Sequence, residues 1–537
     1  MFIKKDLSYI DSNISNHLPK ITLDYINEEK KLNSFYNRSN NIDNYKNQFN
    51  EKANKYNNDF RIVLSNQLKK QYESVPDKSI QVKQIEDLKL KNTFTVTTGH
   101  QLNLFTGPLY FFYKIIDTII ICKKLKKRYP YYNFIPVFWM ASEDHDFEEI
   151  NFFNYNTKKF SWDLNSEGPV GRLKTEGLED VLSQMKKNFN LPDQQELISL
   201  FELSYLKYKN LSSATLNLVH SLFGKYGLLI LEPDNKHLKT LFSEIILDEL
   251  LNKNLNKNVL NTNNALNETF DNSHKPQVNS REINLFYIKD NFRARIEHRG
   301  EVFSVLETDI SFTQSEIIRE VKDHPERFSP NALLRPVYQE FILPNLAYVG
   351  GGSEIAYWLQ LKEYFNLKKI TFPILSVRSS VLLVSKKQIE KCKKFKISIS
   401  NLFDKSNNLK QLYLRKNSKI NIDLSIQKNA IKENFLQLNE LIKLTDKSFS
   451  GAVKAQEKKQ INGIENLEKR LIRAEKRVHE DSLSRLITLK NELFPNDSFQ
   501  ERQVNFSSFF NKSELDFIKI LTDNLDPFNK DFLILEF

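Results

Sequence analysis

The chain has 537 residues, of which 40% are hydrophobic and 27% are charged, so it can bury a full core and is not a disordered protein. Its two cysteines exclude a disulfide framework and a cysteine-rich zinc module, and they fit a reducing compartment. The formal net charge of +11 favours polyanion binding, but the basic residues are dispersed along the chain and the strongest candidate site is acidic, so we expect no nucleic-acid partner.

The N-terminal part of the chain, residues 1–90, has a polar and mainly helical pattern with scattered aromatic residues. No signal peptide is predicted, because the sequence becomes polar within its first residues. The most apolar short run, residues 110–122, contains Lys114 and Asp117 and is shorter than the roughly 20 residues that a membrane-spanning helix needs. We therefore expect a cytoplasmic protein with no membrane partner.

A βαβ unit is predicted after this helical region. Residues 94–98 are β-rich and end at Gly99, and a loop then leads to Pro108, which favours a helix start because its missing N–H needs no partner there. Helical spacing continues to Arg128, where a basic run complements the helix dipole. Residues 134–140 form a continuous apolar run, as expected of a strand buried on both faces. The two strands are therefore predicted to be parallel.

The same α/β pattern returns further along the chain. We predict strands at 227–233, 341–349 and 372–377, helices at 214–223, 237–251 and 353–365, and an antiparallel hairpin within 281–306. Charged neighbours of the hairpin's apolar positions predict that one of its faces is exposed. The sequence therefore predicts an α/β fold whose parallel sheet core extends to about residue 380, with insertions near 151–210 and 270–330.

From about residue 381 the pattern becomes helical and highly charged. Apolar residues step by 3 and 4 along a coiled-coil stripe formed by Ile464, Leu467, Leu471, Ala474 and Val478. The heptad breaks after this stripe, and an apolar pattern at 435–442 marks a candidate antiparallel partner helix. We predict a core domain at 1–380, a C-terminal α-helical coiled-coil domain at 381–498 that makes a homodimer, and a tail at 499–537 that packs near the junction of these domains.

The first candidate site follows the strand that ends at Gly99. Ligands of open α/β sheets bind beyond the carboxyl ends of the strands, and helix N-termini favour anions. His100, Gln101 and the helix start at Gly107 are therefore candidates for binding a phosphate or a carboxylate. The segment matches neither a P-loop nor a dinucleotide-binding glycine motif, and an ordinary capping loop is the alternative interpretation.

The second candidate site is an acidic cluster directly after the apolar strand, formed by Glu143, Asp144, His145 and Asp146. Three carboxylates crowded together with an imidazole can raise one pKa towards neutrality, as a general base requires. The carboxylates are also candidate ligands of a divalent cation. An acid-rich helix N-terminus in solvent is the alternative without a function.

The third candidate site is the glycine segment 350–352, which allows the backbone to approach a ligand closely. Glu354 follows in the first turn of the predicted helix, so a tight turn with a helix cap is an equally good interpretation. Arg335 lies upstream and is a candidate for binding a carboxylate. Neither Cys122 nor Cys392 has partners typical of a cysteine nucleophile, and the histidines lack zinc-ligand spacing, so no metal centre is predicted.

Four segments together resemble the BshC family, the cysteine-adding enzymes of bacillithiol biosynthesis. They are TTGHQLNLFTGPLY at 97–110, PVFWMASEDHDFEEIN at 136–151, LLRPVYQE at 333–340 and EIAYW at 354–358, and residues 494–496 with 500–502 also look like the family. The resemblance implies a Rossmann-like parallel sheet core with connecting-peptide insertions, followed by a coiled-coil dimerisation domain.

The resemblance also implies a reaction, in which L-cysteine is added to the glucosamine amine of glucosaminyl malate. A free carboxylate does not acylate an amine at a useful rate, so the cysteine carboxylate needs activation; ATP is expected, and Mg²⁺ is a candidate cofactor. His145 or Asp146 would take the amine proton, while Asp144 would orient the base or hold Mg²⁺. Arg335 would hold a malate carboxylate, and the reactive thiol would belong to the substrate.

The complete set of expected site residues follows from this resemblance. The catalytic residues are Asp144, His145 and Asp146. The substrate-binding residues are Thr98, Gly99, His100, Gln101, Gly107, Trp139, Glu143, Arg335, Tyr348, Gly351, Glu354 and Trp358. The nucleotide-binding residues are Gln500, Arg502 and Asn505.

Two other functions fit parts of the sequence. A metal-dependent hydrolase could use the cluster from Glu143 to Asp146, but it needs further ligands at a fixed spacing. A non-enzymatic coiled-coil scaffold or nucleic-acid-binding protein would need its basic residues on one stripe with interleaved aromatic residues. Stoichiometric bound metal would favour the hydrolase. Salt-sensitive binding of nucleic acid would favour the nucleic-acid-binding protein.

Overall fold

The computed structural model describes residues 7–156, 158–189, 194–442, 448–510 and 517–536. The chain forms two compact units. The core unit comprises Asp11–Ser380 and Glu501–Phe532, and the helical unit comprises Val381–Gln500 with residues up to Ile10 and from Leu533 onwards. The tail expected at 499–537 is therefore divided between the units, and most of it belongs to the core unit.

The chain begins with one strand and a series of helices, as the polar N-terminal pattern predicts. They are β1 (Leu7–Ile10), α1 (Ser12–Ser15), α2 (Lys20–Ile26), α3 (Asn44–Lys55), α4 (Phe60–Gln71) and α5 (Ser79–Asp87). The predicted βαβ unit follows as β2 (Thr93–His100), α6 (Tyr110–Arg128) and β3 (Asn133–Met140). All eight residues of β2 are buried, including the threonines that alternate with its apolar residues.

Two insertions interrupt the α/β pattern near the expected positions. The first gives α7 (Phe147–Ile150), β4 (Phe152–Tyr155), β5 (Lys158–Ser161), α8 (Leu178–Asn188) and α9 (Gln194–Phe201). The chain then forms α10 (Leu211–Phe223), β6 (Leu229–Leu231), α11 (Lys236–Asn252) and α12 (Asn254–Thr269). The second insertion gives β7 (Leu285–Lys289), β8 (Phe292–Arg299), β9 (Val302–Val305), β10 (Ser311–Thr313), α13 (Gln314–Asp323) and β11 (Phe328–Pro330).

The predicted hairpin is confirmed, because β7 and β8 pair antiparallel. It belongs to a five-stranded sheet with the order β10-β9-β8-β7-β11. The face expected to be exposed is partly covered, since the side chain of Arg293 on β8 is only 8% exposed. Charge alternation alone did not distinguish a solvent-exposed face from a face that lines a cavity.

The chain returns to the core sheet as α14 (Arg335–Ile342), β12 (Asn345–Gly350), α15 (Gly352–Trp358), α16 (Lys362–Leu367) and β13 (Ile374–Val377). The prediction of a strand from residue 341 is wrong at its start, because Phe341 and Ile342 end helix α14. A short apolar run has the same pattern in a buried strand and on the buried side of a helix. The predicted helix 353–365 is likewise interrupted by a tight turn at Leu359–Leu361.

The core sheet is parallel and has the order β13-β12-β2-β3-β6. The register sets Gly99 beside Trp139 and His100 beside Met140, and it sets Tyr348 of β12 beside Thr97. Because parallel strands end at the same edge, the three predicted site segments meet there.

Asn345 ties β12 to β2 through a buried set of hydrogen bonds. Its Oδ1 accepts from the hydroxyls of Thr95 at 3.1 Å and Thr97 at 2.8 Å. Its Nδ2 donates to Glu340 Oε1 at 2.6 Å and to the carbonyl of Ala347 at 3.0 Å. The register of the two strands shifts at this residue, so the side chain replaces ladder bonds that the backbone does not make.

The helical unit contains β14 (Val381–Val384), α17 (Lys386–Lys394), α18 (Ser406–Asn417), α19 (Ser425–Ile442), α20 (Ser448–Val478) and α21 (Glu480–Leu493). The remaining elements are α22 (Gln500–Gln503), α23 (Phe517–Asn524) and β15 (Phe532–Glu536). The predicted pairing of two long helices is confirmed, since α19 packs against α20 and Lys428 forms a 2.8 Å ion pair with Glu468. The predicted heptad break is the interruption at His479. Strands β1, β15 and β14 form a small sheet in that order.

Across the residues that the structure describes, none of the helices combines the length and the hydropathy that membrane crossing requires.

Replacing Asn345 by leucine should destabilise the core unit. The change leaves the buried hydroxyls of Thr95 and Thr97 and the carboxylate of Glu340 without this partner, at a cost of about 1–3 kcal/mol for each group left unpaired. Urea unfolding of Asn345→Leu measures the loss. Asn264→Ala on the exposed face of α12 is the control and should stay within about 0.5 kcal/mol of wild type. Equal stability of the two variants would contradict the role given to Asn345.

Candidate active site

A cavity of about 790 Å³ lies at the edge where the carboxyl ends of β2, β3 and β12 meet. Eleven of the residues expected from the sequence line it: Gly99, His100, Gln101, Trp139, Glu143, Asp144, Arg335, Tyr348, Gly351, Glu354 and Arg502. The three candidate sites are therefore parts of one cavity. The role of each residue towards a substrate stays a prediction.

Glu354 is held by three donors at the edge of the cavity. Its Oε2 accepts from Lys114 Nζ at 2.7 Å and from the Gly351 amide at 2.8 Å, and its Oε1 accepts from the Tyr348 hydroxyl at 2.8 Å. Burial raises the pKa of Glu354, but the charge of Lys114 and these hydrogen bonds outweigh it and lower the pKa to about 2. Glu354 is therefore a fixed anion that positions the glycine segment.

His100 is a neutral imidazole in this site. Its ring stacks on Tyr110 with centroids 5.2 Å apart, and its Nδ1 lies 3.1 Å from the carbonyl oxygen of Gln101. A carbonyl only accepts, so Nδ1 carries the proton and Nε2 carries a lone pair. Burial and the nearby charge of Lys114 lower the pKa of His100 to about 3. In this tautomer the ring has no free N–H for an anion, so the expectation that His100 donates to one stays a prediction that this geometry does not favour.

Gln101 joins two carboxylates. Its Nε2 donates to Asp144 Oδ2 at 2.9 Å and to Glu149 Oε2 at 2.9 Å. The other oxygen of Asp144 accepts from the His145 amide at 2.8 Å, and Arg293 Nη1 lies 3.9 Å away. Burial raises the pKa of Asp144, but these hydrogen bonds and the arginine charge hold it well below its usual range. Asp144 is therefore ionised and a weak proton acceptor, which fits an orienting role.

Glu143 forms a buried pair with Lys239 of α11. The side chain of Lys239 is 1% exposed, and its Nζ also donates to the Phe328 carbonyl at 2.8 Å. Burial raises the pKa of Glu143, while the charge of Lys239 opposes that rise. The carboxylate is thus in the cavity wall, in an environment very different from that of its neighbour Asp144.

His145 and Asp146 do not line the cavity, and both are exposed. The chain turns after Asp144 so that Phe147 can pack in the core, where it meets Trp162 edge-on at a centroid distance of 5.1 Å. The two residues before Phe147 are consequently exposed, although the Nδ1 of His145 accepts from Nη1 of the cavity-lining Arg293 at 3.0 Å. Their assignment as the base remains a prediction that their position does not favour.

Five other expected residues, Thr98, Gly107, Trp358, Gln500 and Asn505, also lie outside the cavity lining. Thr98 donates to the Val349 carbonyl at 2.8 Å, and Trp358 stacks on Tyr348 with centroids 4.6 Å apart. Gln500 pairs with both backbone groups of Leu383. These contacts give each of these three side chains a structural role.

Gly107 and Asn505 explain why the start of α6 is not an open anion site. The Gly107 amide donates to the Leu104 carbonyl at 2.9 Å, and the Leu109 amide donates to the Val504 carbonyl at 2.9 Å. Asn505 Nδ2 donates to the carbonyl of Gly107 at 2.6 Å. The expected binding of an anion at Gly107 stays a prediction that these contacts do not favour, because another segment of the chain already contacts this helix end.

Sequence reasoning missed several cationic residues of the cavity. Arg281, Arg293, Arg295, Arg378 and Lys114 line it together with the expected Arg335 and Arg502. These seven cationic side chains face three carboxylates, so the cavity has an excess of positive charge. The signal for Lys114 was present, since a lysine within an apolar helical run needs a buried partner. No local signal distinguished the arginines of the insertion from surface residues.

Arg335 has an unused hydrogen-bonding group. Its Nη1 donates to Gln339 Oε1 at 3.0 Å, and its guanidinium lies over the ring of Tyr348 at 5.5 Å. Its Nη2 is buried and has no hydrogen-bond partner among the described residues. Because an unpaired buried donor is costly, this group fits a carboxylate or phosphate supplied by a ligand.

Within the described ranges, no group of three or more histidine, cysteine, aspartate or glutamate side chains could hold a metal ion. The cluster from Glu143 to Asp146 is dispersed, with Glu143 in the cavity wall and Asp146 outside it. The hydrolase interpretation requires those side chains to converge, and nothing in the described geometry favours it.

Two family models match the chain. The first, described as "Bacillithiol biosynthesis BshC, N-terminal Rossmann-like domain", covers residues 6–379, and the second, "Bacillithiol biosynthesis BshC, C-terminal coiled-coil domain", covers residues 381–537. These matches confirm the resemblance seen in the four sequence segments and the expected fold class.

Curated relatives named "Putative cysteine ligase BshC" match over nearly the whole chain. The protein from Flavobacterium johnsoniae is 49% identical over 97% of this chain and 98% of its own length. The protein from Flavobacterium psychrophilum is 48% identical over the same shares. The protein from Cytophaga hutchinsonii is 38% identical over 87% of each chain.

Glu354→Gln should lower the free energy of unfolding at pH 7 by roughly 3 kcal/mol, because it leaves Lys114 as an uncompensated buried charge. The pKa of Glu354, about 2 in the folded protein, lies below its ordinary value of about 4.5. The stabilisation is therefore complete above about pH 4.5 and is lost as the pH falls to about 2.

Urea unfolding at a series of pH values measures this difference, which should shrink towards zero over that acid range. Glu363→Gln, at an exposed position on α16, is the matched control and should show little difference at any pH. A difference that stays constant as the pH falls would show that Glu354 does not titrate as its environment indicates.

Proposed function

The chain belongs to the BshC family of bacillithiol biosynthesis, and on that premise we propose that it is a ligase that joins cysteine to an amine through a carbon–nitrogen bond. In the specific form that we propose, L-cysteine is added to the glucosamine amine of glucosaminyl malate. Both substrates carry carboxylates, and the malate part carries two of them.

The observation that carries this proposal is the excess of positive charge in the cavity, with Arg335 Nη2 buried and unpartnered among the described residues. A guanidinium matches a carboxylate in geometry and charge, so Arg335 is suited to hold a carboxylate of the malate part. The cavity volume of about 790 Å³ is adequate for a substrate of this size.

We propose ATP as the co-substrate that activates the cysteine carboxylate, because a carboxylate oxygen is a poor leaving group. Arg502 lines the cavity and supports the expected nucleotide contact, whereas the polar groups of Gln500 and Asn505 are used within the protein. Mg²⁺ commonly uses one or two carboxylates together with substrate phosphates. Bound together with ATP, Mg²⁺ would offset the negative charge of the phosphates.

The cysteines of the chain are spectators in this proposal. Cys122 and Cys392 are buried, and neither lines the cavity. Burial raises the pKa of the Cys392 thiol to about 11 and raises that of Cys122 as well. The thiol of the product would come from the substrate.

We also propose that the chain forms a homodimer through the helical unit. The predicted coiled-coil stripe on α20 is not fully covered by α19, since Leu467 remains 55% exposed and Val478 74% exposed. Exposed apolar residues also occur on α19, at Leu436 and Leu441. Apolar residues at heptad spacing on a charged helix favour a second helical partner.

Incubation of the protein with glucosaminyl malate, cysteine and ATP should yield bacillithiol, detected by mass spectrometry. The nucleotide product identifies the activation, because AMP indicates an acyl adenylate and ADP indicates an acyl phosphate. Arg335→Gln should raise the KM for glucosaminyl malate at least about tenfold, the effect of losing one charged hydrogen bond of about 1.5–3 kcal/mol.

Arg319→Gln removes an exposed arginine of α13 outside the cavity and is the control, with an unchanged KM. Failure to form the product with any nucleotide would contradict the ligase proposal. An unchanged KM in Arg335→Gln would contradict the assignment of this arginine alone.

The double variant Leu467→Glu/Val478→Glu should convert a dimer into a monomer in sedimentation velocity, because it puts charges into the apolar stripe. Asn462→Glu/Asn466→Glu adds the same charge at exposed polar positions of α20 and should stay dimeric. A dimer that persists in the first variant would show that the stripe is not the interface.

A further inference from the structure

The amine of the substrate must lose a proton as it is acylated, and the acidic cluster offers few groups that can take it. Only Glu143 and Asp144 of that cluster line the cavity. Asp144 is unsuitable, because donors hold both of its oxygens and its pKa is far below the usual range. His100 is equally unsuitable, because burial and Lys114 lower its pKa to about 3.

Glu143 differs from these groups in its geometry. Its Oε1 accepts from Lys239, whereas its Oε2 makes no hydrogen bond within the described part of the chain and is not sealed from the cavity. One oxygen is thus fixed by a cation and the other is open to a ligand. A base needs this combination of fixed direction and free lone pair.

Lys239 is itself fixed from a second direction. Its Nζ donates to the Phe328 carbonyl at 2.8 Å and reaches the Glu326 carbonyl at 3.4 Å. These bonds join α11 to the edge of the insertion sheet, so the lysine cannot follow a moving ligand. The Glu143 carboxylate is therefore held against the cavity by a rigid partner.

We propose that Glu143 is the general base of the ligase, receiving the proton of the attacking amine on Oε2 while Lys239 positions the carboxylate through Oε1. This assignment depends on the ligase function proposed above. It replaces His145 and Asp146, which lie outside the cavity, with a group that lines it.

The proton and electron balance is simple. The lone pair of the substrate nitrogen forms the new bond to the acyl carbon of activated cysteine, and the bond from that carbon to the phosphate-bearing oxygen breaks. The electron pair of the broken bond leaves with the phosphate or nucleotide. The nitrogen gives up one proton, which Glu143 Oε2 accepts, so the carboxylate becomes a neutral carboxyl group beside Lys239.

Several charged groups act on the carboxylate of Glu143. Burial and Asp234 raise the pKa of Glu143, while Lys239 and Arg293 lower it. The titratable and charged groups that interact with it are Lys239, Asp234, Arg293 and Tyr338. Of these, Lys239 makes the direct contact, so its removal should move the titration of Glu143 most strongly.

Glu143→Gln should lower the kcat for bacillithiol formation by about 10²- to 10⁴-fold, the usual contribution of a general base. The glutamine keeps the size of the side chain and an oxygen for Lys239. The acid limb of the kcat–pH profile, which reports protonation of Glu143, should disappear in this variant. Glu148→Gln, at a nearby exposed position outside the cavity, is the control and should keep the kcat and the limb.

A second measurement separates the base from activation of cysteine. Hydroxylamine is unprotonated at neutral pH and traps an activated carboxylate without help from a base. Glu143→Gln should therefore form cysteine hydroxamate from cysteine and ATP at the wild-type rate. Loss of hydroxamate formation in a folded variant would show that Glu143 acts in activation or binding, which overturns the proposal.

Lys239→Gln tests the pair from its other side. Without the lysine charge, the acid limb should shift to higher pH by about 1–3 units, and the maximal kcat should fall because the carboxylate loses its fixed direction. If Glu143→Gln does not fold, two other results decide whether Glu143 is the base. They are the shifted limb in Lys239→Gln and a retained acid limb in Glu143→Asp. An unshifted limb overturns the proposal.

The outcomes also separate this proposal from the ligase proposal. A wild-type protein that makes no bacillithiol rejects the ligase function, whatever the variants do. A productive wild-type protein with an equally productive Glu143→Gln rejects only the base. Loss of the acid limb in Asp146→Asn or His145→Ala instead would restore the assignment that the sequence suggested.

Discussion

The buried ammonium of Lys114 is the interaction on which the rest of the site depends. Its side chain is 4% exposed, and it donates to the Gly99 carbonyl at the end of β2 and to Glu354 at the start of α15. A charge so far from water is tolerated only when it is paired and hydrogen-bonded. Three elements must therefore keep a fixed arrangement around this one nitrogen atom.

The same charge sets the protonation of its surroundings. It helps to keep Glu354 ionised and His100 neutral, so Glu354 carries a negative charge at the cavity and His100 carries none. The ionised Glu354 then fixes the Gly351 amide and the Tyr348 hydroxyl. The cavity wall is thus organised by electrostatics as much as by the packing of the sheet.

Much of the fold follows from local pattern, and the exceptions have physical reasons. The buried strands, the βαβ unit and the break at His479 each have a hydrophobic period or a composition that predicts the structure observed there. The start of β12 was misplaced because an apolar run at Phe341 has no period that separates a strand from a helix. The division of the tail between two units depends on long-range packing, for which a single sequence has no local signal.

The position of the candidate site could be predicted from the sequence. The orientation and protonation of its side chains were harder to predict. Parallel strands bring their carboxyl ends together, so Gly99, Glu143 and Glu354 could be expected at one edge. Which member of the acidic cluster enters the cavity depends on where the chain turns, and the burial of Phe147 settles that turn. The state of His100 depends on Lys114 and Gln101 together, and only one of these contacts is adjacent in sequence.

The completion of the core unit by residues 501–532 has a consequence for biosynthesis. Asn505 holds the carbonyls of Phe105 and Gly107, and Phe506 stacks on Phe112 at 4.7 Å. Phe105 has a φ of 47°, in the left-handed region, so this loop depends on such partners to keep its conformation. At about 5–20 residues per second, a ribosome needs roughly 6–24 s to make Val381–Gln500 before these partners emerge. A nascent chain therefore holds a nearly complete sheet while the loop between β2 and α6 is not yet fixed, and the core unit is completed only after residues 501–532 have been made.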